Sequence, residues 1–462
     1  MSFATPSLRR HLPNRRTLAP ASRGVARRAC ALVLGVAFLA PVAATATAQD
    51  SLNARPQLRL GELYRTIDRG NPRIAAAQAM SRAAESRVAG ARRPPDPELQ
   101  LGLMNYVLPA FTATDALSMN QIQLMQTLPV AGQLGLAGRV AGAQATAMGH
   151  RADAVRWDVR VRVASVFFDL YQTDHSLTVA LATLRLVQDI ARNAESMYRV
   201  GEGRQADVLR AQVEVARMTE EIERLHAGRR AMEARLNGLL DRQAPTAVGD
   251  AALPFFPAEL PAADSLEAWA LRERPVVRAG AADVAAADQQ AILARRSIWP
   301  DLRLGVQYGQ RSNAMGTDRM ASLMVGASIP VFAGSLQLRA RDEAGAMQAL
   351  AHSELSAMRA ETRGDLGETL AHLRRARTLR ALYRTTVIPQ AEAAVASAQS
   401  AYRVGTVNFM TLLDNQSMVN RYRQELIALD ADEGRAWATL EMLTGRVLFD
   451  ADRLSPPSER EP

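Results

Sequence analysis

The residues best suited to chemistry are scattered along the chain and do not combine into a catalytic pattern. Histidine occurs six times in 462 residues, and no two histidines have the spacing of a metal-binding pair. No glycine-rich phosphate-binding loop follows a predicted strand. The sequence therefore predicts no enzyme activity, no cofactor and no metal site. The histidines are His11, His150, His175, His226, His352 and His372.

Sulfur side chains are the second group that could do chemistry. Five methionines near the predicted strands could offer thioether sulfur to a soft metal ion, but we interpret them as packing or lipid-facing side chains. They are Met104, Met119, Met315, Met320 and Met324. Cys30, the only cysteine, lies in an N-terminal segment that we predict to be removed. The mature chain would then have neither a disulfide nor a thiolate ligand.

That N-terminal segment, residues 1–48, has the order of a secretory signal peptide. It contains seven arginines and no acidic residue, then an apolar run at 29–40 and the small-residue motif Ala46-Thr47-Ala48. Subtracting these seven arginines from the 56 basic residues leaves 49 against 47 acidic ones, so no nucleic-acid partner is indicated. No later apolar stretch reaches the roughly 18 residues of a membrane-spanning helix. We expect a periplasmic, secreted or β-barrel protein.

The two halves of the chain share residues in the same order. Pro72 and Pro97 recur 203 positions later as Pro275 and Pro300, and the Tyr-Arg-Val-Gly sequence at 198–201 recurs at 402–405. Such a long repeat indicates one duplicated architectural unit. The predicted organisation is a signal peptide at 1–48, a first repeat at 49–240, a linker at 241–263, a second repeat at 264–450 and a disordered tail at 451–462.

Each repeat is predicted to begin with an alanine-rich helix and to end with a long helical hairpin. The first long helix would extend for about 100 Å at 1.5 Å per residue. Pro389 is expected to kink or break its counterpart in the second repeat. The predicted spans are 58–92, 134–199 and a return helix to Leu240 in the first repeat, and 264–296, a helix from Leu336 to a turn at Gly405 and a return helix to Thr444 in the second.

Between these helices, each repeat has two segments in which apolar residues alternate with small or polar ones, the pattern of strands. Each segment is about 10–12 residues long, roughly the length that a tilted strand needs to cross a membrane. A polar loop is predicted at 311–318. The apolar positions are Leu99, Leu101 and Leu103; Ile122, Leu124 and Leu128; Leu302, Leu304, Val306 and Tyr308; and Leu323, Val325, Ala327 and Ile329.

Four membrane strands require more than one chain, because about eight strands are the fewest that close a barrel and open sheet edges are not tolerated in lipid. Three copies would supply twelve strands to one shared barrel. The predicted fold class is therefore mainly α with a small β part. Long α-helical hairpins would form a periplasmic tube below the trimeric barrel.

The sequence resembles the TolC family of outer-membrane efflux proteins over about residues 55–450. The resemblance implies a homotrimeric channel that passively conducts substrates and docks through its periplasmic tip to an adaptor protein, and so to an inner-membrane pump of the RND type. The motifs that carry it are the duplicated Tyr-Arg-Val-Gly turns, Ala206-Asp207-Val208-Leu209 and Thr411-Leu412-Leu413-Asp414, and the strand ends Leu128-Pro129-Val130 and Ile329-Pro330-Val331.

In that family, acidic residues just inside the tip narrow the pore, which by position implies Asp207 and Asp414. The counterpart of Asp207 in the second repeat is Thr411, and that of Asp414 in the first is Arg210. Carboxylates repeated around a narrow tube would attract cations. Alternatively, both are ordinary residues near a helix start, favoured by the helix dipole.

The turns themselves are the predicted tip and adaptor contact. The alternative for the two tyrosines is that they only pack between neighbouring hairpins, whereas the glycines are predicted to be structural. The residues are Tyr198, Val200, Gly201, Tyr402, Val404 and Gly405.

Two other functions stay open from the sequence. One is a soluble periplasmic coiled-coil adaptor or scaffold, which would not need four strands of membrane length. The other keeps the channel but assigns it to type I protein secretion. The run Pro95-Asp96-Pro97-Glu98-Leu99 is more similar to the heavy-metal-efflux branch of the family than to the drug branch.

Overall fold

The computed structural model describes residues 56–109, 112–113, 117–313, 316–404 and 406–455, and the side chains of 312 and 313 are not described. The predicted signal peptide with Cys30, and also Met315, Gly405 and residues 456–462, lie outside the described residues.

The described residues are mainly helical with a small β part, as predicted, and the same order of elements occurs in both halves. The first half contains β1 (Gln57–Leu58), α1 (Leu60–Gly70), α2 (Pro72–Ala91), β2 (Glu98–Met104), β3 (Met119–Leu128), α3 (Gln133–Arg199) and α4 (Gln205–Leu239). The second contains β4 (Asp250–Ala251), α5 (Ala263–Glu273), α6 (Pro275–Arg296), β5 (Leu302–Asn313), β6 (Gly316–Ala327), α7 (Gln337–Leu382), α8 (Ile388–Arg403) and α9 (Phe409–Thr444).

The first helix of each repeat, predicted as continuous over 58–92 and 264–296, is two helices. Each break lies at the residue before a proline, Asn71 or Arg274, where the backbone ψ angle is 121° or 120° and so is not helical. The physical reason is that the proline ring disfavours helical geometry in the preceding residue. The sequence shows both prolines, so this correction could have been made without the structure.

Asn71 joins two helices end to end. Its Oδ1 accepts hydrogen bonds from the N–H groups of Arg73 and Ile74 at the start of α2, at 2.9 and 3.3 Å. Its Nδ2 donates to Leu239 O at the end of α4, at 2.8 Å. One amide therefore satisfies backbone groups at the ends of both helices, and α2 begins where α4 ends.

The long helix α3 lies between two pairs of shorter helices. Near its start, Arg139 Nε donates to Gln289 of α6 at 2.8 Å, and Arg151 pairs with Asp283 of α6 at 2.5 Å. Farther along, Asp169 pairs with Arg435 of α9 at 2.7 Å. The helix therefore contacts α6 with its first half and α9 with its second half.

Pro389 interrupts the second long helix, as predicted. A π-helical turn, Tyr383–Val387, separates α7 from α8 immediately before this proline. Proline has no N–H to donate and its ring crowds the preceding turn, which explains the local widening. Within the described residues, no helix is both long and apolar enough to cross a membrane.

The strands of the second repeat are longer than predicted. Residues 311–313 and 316–318, assigned to a polar loop from their composition, continue β5 and β6 in register. Arg311 Nη2 pairs with Asp318 Oδ2 across the two strands at 3.1 Å. Because opposite charges face each other on neighbouring strands, polar residues are compatible with the ladder there.

The segments after α4 and α9 pack into the main core between the helices. Within the predicted linker, Val248, Ala251 and Leu253 are buried, and β4 pairs in parallel with β1. Ser455 is 3% exposed and its N–H donates to Leu253 O at 3.1 Å. The prediction of disorder from residue 451 is thus wrong for 451–455, because local composition does not report these contacts.

Glu441 of α9 holds the segment that follows its helix. It is 2% exposed, and its Oε1 accepts hydrogen bonds from the N–H groups of Leu448 at 2.8 Å and Phe449 at 3.3 Å. Burial raises the pKa of Glu441 from 4.5 to about 7, against the opposing effects of these N–H groups and Arg160.

Folding stability is expected to fall as the pH rises from about 4.5 to about 7, because folded Glu441 holds a proton there that the unfolded chain has released. Glu441→Gln keeps an acceptor oxygen but cannot ionise. Thermal unfolding in detergent should show the wild type losing about 3 kcal/mol relative to this variant over that range. Identical pH dependence of the two proteins would contradict the prediction.

Candidate functional site

One face of the four-stranded sheet is an apolar band. The strand order is β2-β3-β5-β6, with antiparallel neighbours, and the register aligns apolar residues into rows across all four strands. Leu101, Leu323 and Val325 are 74%, 75% and 67% exposed. A large exposed apolar face is what a membrane-spanning sheet presents to lipid. The two central rows are Leu99, Leu124, Val306 and Leu323, and Leu101, Ile122, Tyr308 and Ala321.

The opposite face of this sheet is polar. One row consists of Gln100, Gln123, Gln307 and Ser322. Gln307 Nε2 also donates to Gln121 Oε1 on the neighbouring strand. The alternation also puts four of the methionines near the strands on this polar face, so of the two interpretations, packing or lipid-facing, the second is wrong for them. They are Met104, Met119, Met320 and Met324.

The sheet has two open edges. Within the described residues, β2 pairs only with β3, and β6 pairs only with β5. The backbone N–H and C=O groups along the outer sides of both strands therefore need a partner from another chain if the sheet lies in lipid.

Exposed apolar side chains also surround the end of the sheet nearest the helices. Asp301 and Ser328 tie β5 to β6 there, with Asp301 N–H donating to Ser328 Oγ at 2.9 Å. Trp299 is 59% exposed, and Val331 and Phe332 are 79% and 76% exposed. Exposed aromatic residues are typical of the boundary between lipid and water, which places the helices on the aqueous side.

The first hairpin tip is a tight turn built on glycines. The N–H groups of Glu202 and Gly203 both donate to Met197 O at 2.9 Å, and Gly201 has φ of 81°. A Cβ at Gly203 would lie 2.7 Å from Tyr198 N. The predicted structural role of Gly201 agrees with this left-handed conformation, and Gly203 is needed for the close backbone approach.

The second tip is closed differently. Thr406 N–H donates to Ala401 O at 3.0 Å, and Asn408 caps α9 by accepting from Thr411 N–H at 2.9 Å. Gly405 lies outside the described residues. Arg204, at the corresponding start of α4, makes no capping hydrogen bond through its side chain. The two turns therefore share a sequence motif but differ in how the return helix begins.

An apolar cluster joins the two hairpins just inside the tips. It contains residues from all four hairpin helices: Ile190, Ala194, Ala211, Ala398, Phe409, Leu412 and Leu413. The Tyr402 ring packs against Phe409 with centroids 6.0 Å apart. Tyr198, in contrast, is 46% exposed. Tyr402 and Phe409 both belong to the second hairpin, and Tyr402 also packs against the cluster that joins the two hairpins. The accessible tip residues are Tyr198, Val200 and Val404.

The two carboxylates expected at a constriction have different surroundings. Asp414 is exposed, whereas Asp207 is half-buried. Burial raises the pKa of Tyr402, and the negative charge of Asp207 raises it further, so Asp207 lies close to the second hairpin. Asp207 is the third residue of α4 and Asp414 the sixth of α9. Because a helix rises about 1.5 Å per residue, Asp414 lies about 4.5 Å farther from the start of its helix than Asp207 does from the start of its own.

Sequence reasoning missed two features of the site. Asn408 before α9, with Thr411 three residues later, is a helix-start signal that could have been read from the sequence. The second is the position of the methionines: the alternation that identified both faces of the strands already puts Met119 and Met324 on the polar face, which excludes a lipid-facing role. Among the described residues, no group of three or more His, Cys, Asp or Glu side chains is arranged to hold a metal ion.

Comparison with known proteins gives a family for both halves of the chain. Residues 63–241 and 268–446 match the family described as "Outer membrane efflux protein". The cobalt-zinc-cadmium resistance protein CzcC of Cupriavidus metallidurans is 26% identical over 314 residues, which cover 66% of this chain and 70% of that protein.

Solved structures share the fold. The outer membrane protein VceC of Vibrio cholerae has a TM-score of 0.72 at 16% identity, covering 84% of this chain and 96% of that one. CusC has a TM-score of 0.73 at 16% identity, covering 85% and 93%. OprN, an outer-membrane channel, has a TM-score of 0.67 at 20% identity and covers 89% and 98%.

Proposed function

The chain belongs to the outer membrane efflux protein family, and on that premise we propose that three copies form one channel fed by a periplasmic adaptor and an inner-membrane pump. The protein is an outer-membrane efflux channel and not an enzyme. Its helices extend into the periplasm, and its sheet lies in the membrane.

The main observation that supports the proposed trimer is that the sheet has two open edges. β2 and β6 are antiparallel to each other in direction, as the order β2-β3-β5-β6 requires, so β6 of one copy can pair with β2 of the next. Three copies then supply twelve strands, enough to close a barrel. The apolar band would face lipid and the glutamine-rich face would line the channel. A soluble adaptor would have no use for this exposed apolar band.

For the substrate, we propose metal ions. The supporting observation is the similarity to CzcC, whose name refers to cobalt, zinc and cadmium resistance.

The tip residues Tyr198, Val200 and Val404 are proposed as the adaptor contact because they are exposed apolar or aromatic side chains at the hairpin ends. Gly201 and Gly405 are proposed to shape the turns. The repeat boundaries at 240 and 264 remain a prediction.

Reconstitution tests the proposed channel directly. Purified protein should run as a trimer in detergent and produce discrete conductance steps in planar lipid bilayers. A monomer that leaves the bilayer electrically silent would overturn the proposal. Recovery of the native protein from the soluble periplasm, with none in outer-membrane extracts, would favour the adaptor instead.

Asp207 and Asp414 are proposed to form two carboxylate rings at different depths inside the tip. Replacing both with alanine shortens the side chains and removes six charges from a trimer, so conductance should rise and cation preference should fall. Single-channel recordings and reversal potentials in a salt gradient measure both effects. The control is Asp342→Ala, which removes an exposed carboxylate near the start of α7, the end of that helix nearest the sheet. This substitution should change neither conductance nor cation preference. Unchanged conductance in the double variant would remove these residues from the constriction.

A further inference from the structure

The methionines of the sheet lie on one face. The four strands contain five of them, and the register puts every one on the glutamine-rich face, opposite the apolar band of leucine, isoleucine and valine. They are Met104, Met119, Met125, Met320 and Met324. Had methionine served only as another apolar residue, it would be expected among the leucines that face lipid.

Glycines let these methionines converge across strands. A Cβ at Gly305 of β5 would lie 2.6 Å from Met125 Sδ and 3.3 Å from Met324 Cε. Met125 and Met324 are on the strands to either side of Gly305. Because neighbouring strands are about 4.8 Å apart, the missing side chain lets two thioethers from strands about 10 Å apart approach over β5.

A related arrangement occurs farther from the helices, at Gly309. A Cβ at Gly309 would lie 2.5 Å from Met119 Sδ, and Met320 is the residue opposite Gly309 on β6. Met104 lies directly opposite Met119 on the other side. Two levels of thioether sulfur therefore lie along the strands, one at Gly305 and one at Gly309.

We propose that these two methionine levels bind soft monovalent metal ions of the Cu(I) and Ag(I) type inside the channel. The inference rests on the proposed function, because it takes the glutamine-rich face as the channel wall. Thioether sulfur is a soft ligand, and it carries no proton to lose, so metal binding by the sulfur does not compete with protonation. Glu98, opposite Met125, adds a carboxylate to the level nearer the helices.

This assignment extends the substrate class beyond the divalent ions suggested by CzcC. Neutral thioethers hold such ions without the charge of thiolates, which suits release along a conducting path. The alternative is that the methionines only fill the space above the two glycines, as large side chains do beside strand glycines.

Labelled methionine methyl groups test the proposal. The protein, labelled with ¹³C at the methionine methyls, is titrated with Ag(I) in detergent. The methyl resonances of Met125, Met324, Met119 and Met320 should shift, whereas Zn(II) should leave them unchanged. Because the only cysteine lies in the predicted signal peptide, thiolates contribute no background binding in the processed protein.

Matched variants give the result that decides. Two double variants replace methionine with leucine, which conserves side-chain volume: Met125→Leu/Met324→Leu at the Gly305 level and Met119→Leu/Met320→Leu at the Gly309 level. Each should lower the Ag(I) affinity of its own level at least tenfold. Met80→Leu/Met347→Leu, which changes two exposed helix methionines, should not. Equal affinity in all variants, or shifts confined to helix methionines, would overturn the proposal. If such a protein is still a conducting trimer, only this inference fails and the proposed channel stands.

Discussion

Replacing Arg229 with methionine is expected to destabilise the folded chain by about 3–5 kcal/mol. Arg229 of α4 has a side chain only 4% exposed. Its guanidinium pairs with Asp174 of α3 at 2.5 Å, with Glu233, and with Asp250 of β4 at 3.1 Å. Methionine fills a similar volume but leaves these carboxylates without their shared cation.

The measurement is chemical or thermal unfolding in detergent followed by helical circular dichroism. Arg230→Met, the exposed neighbour on the same helix, removes the same charge and should stay within about 0.5 kcal/mol of wild type. Adding Asp174→Asn to Arg229→Met should recover part of the loss, because one buried carboxylate is then neutral. A small effect for Arg229→Met alone would show that water, and not the guanidinium, satisfies these carboxylates.

Gly434→Ala is expected to destabilise the folded chain strongly, although it adds only one methyl group. Gly434 is buried on α9, and a Cβ there would overlap the Phe168 ring of α3, with Cδ1 2.6 Å away. Phe168 is 0% exposed and lies against Phe167 and Phe256, at centroid distances of 5.2 and 6.1 Å. Because that ring is enclosed, α3 and α9 must separate, at a cost of about 1–3 kcal/mol or more.

The matched control, Gly364→Ala, is expected to change stability in the opposite direction. Gly364 of α7 is exposed, and a Cβ there would meet nothing within 4 Å. Gly364→Ala should stabilise its helix by up to about 1 kcal/mol, since alanine is the better helix former. Unfolding midpoints of the two variants should therefore move in opposite directions. A stabilised Gly434→Ala protein would mean that the two helices are not in close contact there.

The parts of the architecture that depend on local sequence patterns could be predicted. Alternation of two residues identified the strands and both of their faces, and the absence of proline identified the long helices. The prediction of a polar loop at 311–318 was wrong, because an ion pair between Arg311 and Asp318 allows charged residues in the two strands. Composition within one segment cannot report a partner on another.

The candidate site was predictable in position but not in its surroundings. The repeated turn motif located both tips, yet it made Tyr198 and Tyr402 equivalent. The structure separates them, because Tyr402 packs against Phe409 while Tyr198 is 46% exposed. The four-residue motif cannot encode this difference, because Phe409 lies outside it and the cluster that Tyr402 contacts contains residues of both hairpins.

The sequence by itself determined the duplication, the order of elements, the number of strands and the expectation of more than one chain, although β2 has only 7 residues and not the roughly 10–12 predicted. These follow from residue periodicity, proline positions and the number of strands, all local or countable properties. Only the tertiary structure decided that Asn71 joins α4 to α2, that the segment after α4 belongs to the core and that methionines from different strands meet above Gly305. The physical reason is that each depends on the register and packing of segments distant in the chain.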